Sequence, residues 1–240
     1  MTSENWNKKI ALRTGLMAAV IGLGLSSAAL AEEATDDGFP GTFSGSVTLA
    51  SEYVFRGISM SDEDPAIQGS LNWQHDSGAY VGVWASSGEF AEGSIEADYY
   101  IGYGNEVNGV NYDISVIYYT YPGDEVDANY FEIMGKVGYD LGVVSLTTGV
   151  GYVPEGQDAY GDDDAVYLFS DATVPIPNTP LSAGFHIGYT DFGSSDYTEW
   201  SAGLYATVVG LNLGLVYQDT DISNFDNADS RVVFSVSKSF

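Results

Sequence analysis

The sequence predicts an all-β protein, a transmembrane antiparallel up-and-down β-barrel of about twelve strands. Three observations carry this. Beyond residue 42 the chain is a succession of segments, each about ten residues long, in which apolar and polar side chains alternate. Short turns and longer acidic loops join these segments by turns, as in a barrel with tight periplasmic turns and larger outer loops. The chain ends on such a segment, "RVVFSVSKSF", whose last residue is aromatic.

The N-terminal stretch has a different character. Lys8, Lys9 and Arg13 precede an apolar run from Leu16 to Leu25, and small residues lead to Ala29-Leu30-Ala31. This is the pattern of a secretory signal peptide cleaved after Ala31. The apolar core is short for a membrane helix, which needs about 17 residues or more. Residues 1–31 are thus expected to be removed, 32–42 to form a short periplasmic segment, and 43–240 to form the barrel. The exported chain would carry 4 basic and 33 acidic residues, a net charge of −29. Such a charge repels nucleic acid. Cysteine is absent, which excludes disulfides, thiol chemistry and Cys-based metal sites. Acidic chains are often disordered, but 45% hydrophobic and 14% aromatic residues argue for a folded domain here.

The first barrel segment, "FSGSVTLASEYVFR", puts Phe43, Val47, Leu49, Tyr53 and Phe55 on one face and Ser44, Ser46, Thr48, Glu52 and Arg56 on the other. Strands are expected at 43–58, 66–76, 79–87, 93–104, 110–120, 128–139, 143–153, 165–175, 181–191, 197–208, 211–219 and 230–240. Outward aromatics fall at two heights. Phe55, Tyr118, Phe131, Tyr152, Tyr189, Trp200 and Tyr217 form an outer girdle, and Phe43, Tyr103, Tyr112, Tyr139 and Phe240 an inner one, as expected in lipid. A soluble sandwich also alternates, but its outward face carries the charge. The polar face here is rich in Gly, Ser, Thr and Asn, with aromatics at strand ends. Lys238 interrupts the last apolar face near the periplasmic edge, where its stem can snorkel.

If the apolar face meets lipid, the sparse charges of the other face enter the lumen. Arg56 and Arg231 should sit near the outer end, with Glu52, Glu96, Asp98, Glu132 and Glu199 facing them and Lys136 lower down. An arginine facing carboxylates across a narrow lumen gives ion and solute selectivity, and the same groups would equally brace a filled lumen by salt bridges. Twelve strands lie between the eight that side chains fill and the sixteen or more that leave a clear channel. Trp73, Tyr100, Tyr119 and Tyr130 also read as inward and would narrow the bore.

Residues 51–87, "SEYVFRGISMSDEDPAIQGSLNWQHDSGAYVGVWASS", resemble the opening of the bacterial family of TorF-type porins. Its members read S-[DE]-Y-x-[FW]-R-G-[IV]-S, then an acidic loop, P-A-[IVL]-Q-G and G-x-Y-x-G-x-W. Ser51, Glu52, Tyr53, Phe55, Arg56, Gly57, Ser59, Pro65, Ala66, Gln68, Gly69, Gly78, Tyr80, Gly82 and Trp84 carry the match, with Met60 where Gln is common. The resemblance implies an outer-membrane barrel and a pore.

Other chemistry is weakly signalled. Ser182 and His186 share a face but stand roughly 13 Å apart at ~3.3 Å per residue, too far for a dyad. No G-x-S-x-G elbow occurs, so no enzyme is expected. "GYGNEVNG" joins two strands and is not a nucleotide loop. Asp162, Asp163 and Asp164 are weak Ca²⁺ candidates without EF-hand spacing, read first as solvated acid and otherwise as loosely held divalent cations bridging to lipopolysaccharide. No cofactor is implied. The expected partners are outer-membrane lipid and lipopolysaccharide, small solutes, and the barrel-assembly machinery reading the strand that ends at Phe240. The sequence thus supports a Gram-negative outer-membrane channel for passive diffusion, preferring cations. Its alternative is a non-conducting barrel that stabilises the envelope or presents acidic loops to a partner.

Overall fold

The structure is a computed structural model that describes residues 40–90, 93–123, 128–160 and 163–240. The signal segment lies outside the described residues, as does Asp162.

The strands in chain order are β1 (Thr42–Ala50), β2 (Val54–Phe55), β3 (Ile58–Ser59), β4 (Ala66–Gln74), β5 (Ala79–Phe90), β6 (Gly93–Val107), β7 (Val110–Thr120), β8 (Tyr130–Asp140), β9 (Ser145–Val153), β10 (Ala165–Pro175), β11 (Leu181–Asp191), β12 (Asp196–Val208), β13 (Leu211–Thr220) and β14 (Arg231–Ser239). Twelve of them, β1 and β4 to β14, form one closed antiparallel barrel in sequential order. β2 and β3 stand apart as a two-stranded hairpin. The seam pairs Ser46–Ala50 of β1 with Ser235–Ser239 of β14, and Phe240 exchanges backbone hydrogen bonds with Gly45 at 2.8 and 3.0 Å. Every barrel strand therefore has a partner on each side, which removes the exposed edge that a sheet in lipid could not satisfy.

The period-two pattern decides which way each side chain points. Leu49, Ile67, Ile101, Ile114, Leu168, Phe185, Leu204 and Phe234 are exposed on the outer surface. Their strand neighbours face in. Trp200 and Tyr118, Tyr152, Tyr189 and Tyr217 lie outward toward the loop end; Phe43, Tyr103, Tyr112, Tyr139 and Phe240 lie outward toward the turn end. Lys238 also faces out there, its Nζ donating to the Gly210 carbonyl at 3.1 Å.

Three sequence readings need correction. The first strand stops at Ala50, eight residues before the expected end. Residues 52–61 instead turn inward, and Tyr53 and Phe55, read on the lipid-facing side, are buried inside the barrel, Phe55 therefore leaving the outer girdle. Trp73 pairs with outward Phe43, so it faces out, whereas Tyr100, Tyr119 and Tyr130 face in as expected. β5 and β6 run past residues 87 and 104 as a longer ribbon, with a register shift between Ser87 and Phe90 that bends its tip.

The buried apolar cluster lies inside the barrel, at its loop end. Tyr53, Phe55, Ile58 and Met60 of the inserted segment pack with Phe90, Ile117, Tyr119, Tyr121, Tyr130, Tyr160, Tyr167, Phe192 and Tyr197. Toward the turn end the inward positions change to Ser44, Ser46, Ser70, Asn72, Thr147 and glycines, with Tyr80, Tyr100 and Tyr205 among them, and the side chains are mostly half-buried rather than sealed. The lumen is thus packed above and lined below by half-buried polar and tyrosine side chains.

Candidate functional site

The inserted hairpin organises the site. Arg56 and Gly57 occupy its two-residue turn with φ of 44° and 80°, the left-handed pair of a type I′ turn, whose twist suits a hairpin. Gly57 fits because a Cβ there would press on Thr220 and on Cβ of Glu199, the latter at 2.8 Å. The Met60 amide donates to the Tyr53 carbonyl at 2.8 Å, the Tyr53 amide to Ser61 Oγ at 2.9 Å, and the Glu89 amide to the Met60 carbonyl at 2.8 Å. These bonds fix the hairpin to its own base and to the β5 tip.

Arg56 is carried to the barrel interior at the hairpin's end. Its Nη2 donates to both carboxylate oxygens of Glu132 on β8, at 2.7 and 2.9 Å, with the two side chains 6% and 1% exposed. The guanidinium lies 3.7 Å from the centre of the Tyr167 ring on β10 and 4.6 Å from that of Phe55. It is thus held by charge on one side and by aromatic faces on the others, the two contacts a planar cation makes well. The Tyr119 hydroxyl donates to the same Glu132 at 2.9 Å, and its ring stacks on Tyr130 with centroids 4.4 Å apart.

A second chain of contacts leads down the far wall. The Tyr167 hydroxyl donates to Glu199 Oε1 at 2.7 Å; Glu199 lies 3.1 Å from His186 Nε2, and His186 Nδ1 lies 2.6 Å from Asp171. Both imidazole nitrogens thus face carboxylates, and among the described residues no serine hydroxyl reaches them. At the hairpin's base Arg231 pairs with Glu52. Tyr53 and Tyr121 hydroxyls donate to Glu96 at 2.9 and 3.3 Å. Asp98 is wholly buried, and its electrostatic neighbours are the carboxylates of Glu96 and Glu132. Lys136 sits lower, 3.4 Å from Asp113, which also accepts from the Tyr80 hydroxyl at 2.7 Å. In the loops above, burial pushes the Tyr121 and Tyr160 hydroxyls above the usual phenol range, so both remain neutral.

The charged candidates Glu52, Arg56, Glu96, Asp98, Glu132, Lys136, Glu199 and Arg231 lie on the inner side of the barrel, Glu52 and Arg56 through the inserted segment rather than a barrel strand, whereas Trp73 does not. Arg56 and Arg231 do not act together: each has its own carboxylate. Sequence reasoning took His186 only as an inward polar residue and missed Tyr53 and Tyr167 as members of the network. The alternation put Tyr53 on the lipid-facing side, and which strands face each other across the lumen is not written in it. Among the described residues, which leave out Asp162, no group of three metal-binding side chains comes together.

A family model described as "Bacterial protein of unknown function (Gcw_chp)" matches residues 33–240. No curated protein matches the chain. Among solved structures, a KdgM porin aligns with a TM-score of 0.59 at 8% identity, over 82% of this chain and 99% of its own. A KdgM porin in complex with disordered oligogalacturonate gives 0.58 at 7% identity, over 83% and 99%. A NanC porin gives 0.55 at 11% identity, over 82% and 98%. At these identities the likeness is one of fold.

Proposed function

For a chain that belongs to the Gcw_chp family of bacterial proteins of unknown function, we propose the role of an outer-membrane channel for passive diffusion of small solutes, closed at its loop end by the inserted hairpin. The observation that carries this is the division of the lumen. The turn-end half is lined by half-buried side chains, serines and Asn72 together with Tyr80, Tyr100 and Tyr205, beside glycines, and the obstruction above it is a separate element seated by side-chain contacts, outside the barrel's ladder. A plug of this kind can shift without opening the wall. The porin fold and the resemblance of residues 51–87 to TorF-type porins support the same reading.

We assign the channel a preference for cations. Among the described residues, the inward carboxyl groups Glu52, Glu96, Asp98, Asp113, Glu132, Asp171 and Glu199 face the cations Arg56, Lys136 and Arg231, with His186 between Asp171 and Glu199. Fixed charge of one sign raises the local concentration of the other. A polyanion such as the oligogalacturonate named with one KdgM porin is a poor match for this wall.

The second reading, a non-conducting barrel, is favoured by one observation: Tyr53, Phe55, Tyr119 and Tyr130 are buried together in the bore. Planar-bilayer recording of the refolded protein separates the two. The channel reading expects salt-dependent current steps that become larger or more frequent in Arg56→Ala. A folded barrel that stays silent, both as wild type and as Arg56→Ala, would establish the second.

A further inference from the structure

We propose that the turn-end chamber binds a neutral saccharide, stacked between Tyr80 and Tyr100 on one wall and Tyr205 on the other. The argument starts from glycines. Tyr80 stands directly across from Gly102, Tyr100 across from Gly82, and Tyr205 across from Gly214. A Cβ built on Gly82 would meet the Tyr100 ring at 2.5 Å, one on Gly102 would run into the Tyr80 ring, and one on Gly184 would meet Tyr205 at 2.7 Å. The rings thus lean over backbone that has no side chain to displace them, Tyr80 and Tyr100 inclined at 64° to each other. A ring that merely filled the bore would point to the axis and need no glycine beneath it.

The placement repeats across the barrel. Four strands separate β5 from β12 by one route and five separate β6 from β12 by the other, so Tyr205 faces the β5–β6 pair from the opposite side. All three rings are half-buried, unlike Tyr119 and Tyr130 above, which are sealed in the plug. Tyr80 and Tyr100 meet edge to face, with centroids 6.4 Å apart. Their hydroxyls are tied to Asp113 and Asn72, which holds both rings in place.

The chemistry of the chamber selects the ligand class. Flat aromatic faces suit the apolar C–H face of a pyranose ring, and hydroxyls around that ring need polar partners at its edge. Asn72 offers an amide, and Lys136 spends one of its three donors on Asp113 and keeps the others. That ion pair is internally neutral, so the chamber holds no spare positive charge for an anionic sugar. The proposal rests on the channel reading only in that the turn end admits the solute.

The test is calorimetric titration of the refolded full chain in detergent with maltohexaose as a neutral probe. Saturable association is expected, weakened about two- to tenfold by Tyr100→Ala and by Tyr205→Ala and unchanged by Tyr118→Ala, whose ring faces lipid. Tyr205→Leu, which keeps bulk without a ring face, should weaken it likewise, and circular dichroism shows that each variant is folded. No saturable association by the wild type, or equal weakening in Tyr118→Ala, would overturn the proposal. Association without current would sustain the chamber and defeat the channel; current without association would do the reverse.

Discussion

Replacing Arg56 with alanine leaves Glu132 buried at 1% exposure beside Tyr119, with its cation gone. Removing one partner of a buried ion pair costs about 3–5 kcal/mol, because the remaining charge has lost its compensation. Arg56→Ala should therefore lower the unfolding midpoint clearly, and Arg56→Ala combined with Glu132→Gln should recover part of that loss; a double variant no more stable than the single one would contradict the pairing. Lysine at 56 should restore little, since it can match the charge but not the face-on contact with Tyr167 at 3.7 Å. Much at this scale was legible in the sequence. Alternation alone sent Glu96, Asp98, Glu132, Lys136 and Glu199 inward. The pairings were not legible, because Arg56 and Glu132 are 76 residues apart and meet only through a folded-in loop.

The hairpin shows why the boundary of the first strand misled. "SEYVFRGIS" keeps a strand's composition and alternation because it is a strand pair, only not one of the barrel's. The turn signal was Arg56-Gly57, a left-handed pair in which only the second residue is glycine, and a lone glycine between β-formers is easily read as part of a strand. β1 meets β4 directly across Thr42–Ala50 and Ala66–Gln74, so the barrel does not need the hairpin for its register. Replacing residues 52–63 with a short glycine-rich linker should give a barrel that still refolds, as judged by circular dichroism, with larger single-channel conductance than the wild type. Loss of the barrel would show instead that the plug is part of the fold. A milder change tests the seat alone. Gly57→Ala forces a side chain into a conformation costing about 1–2 kcal/mol and against Glu199, so it should raise open probability with little change in the barrel's own spectrum.

For the whole molecule, the strand count, the two heights of outward aromatics and the division between short turns and long loops were all visible in the sequence, because a barrel in lipid imposes a period of two on every strand. What lay beyond it was the vertical division of the lumen into a packed half and a lined half, which depends on where a loop folds. The excess of inward carboxyls sets a global expectation: under a salt gradient the reversal potential should have the sign of cation selectivity, and Glu199→Gln should reduce it. Anion selectivity would refute that assignment. The seam has a further consequence, for the order of assembly. Gly45 and Phe240 hold hands across 195 residues of sequence, the difference of their numbers, so the ring closes only when the two ends of the domain meet. Until then β1 and β14 are open edges, competent to pair with any other strand, and the loop entropy opposing closure is near its maximum for this chain. Completion should be the slow event in maturation, and the pairing of β1 with β14 is what ends the danger of misassociation.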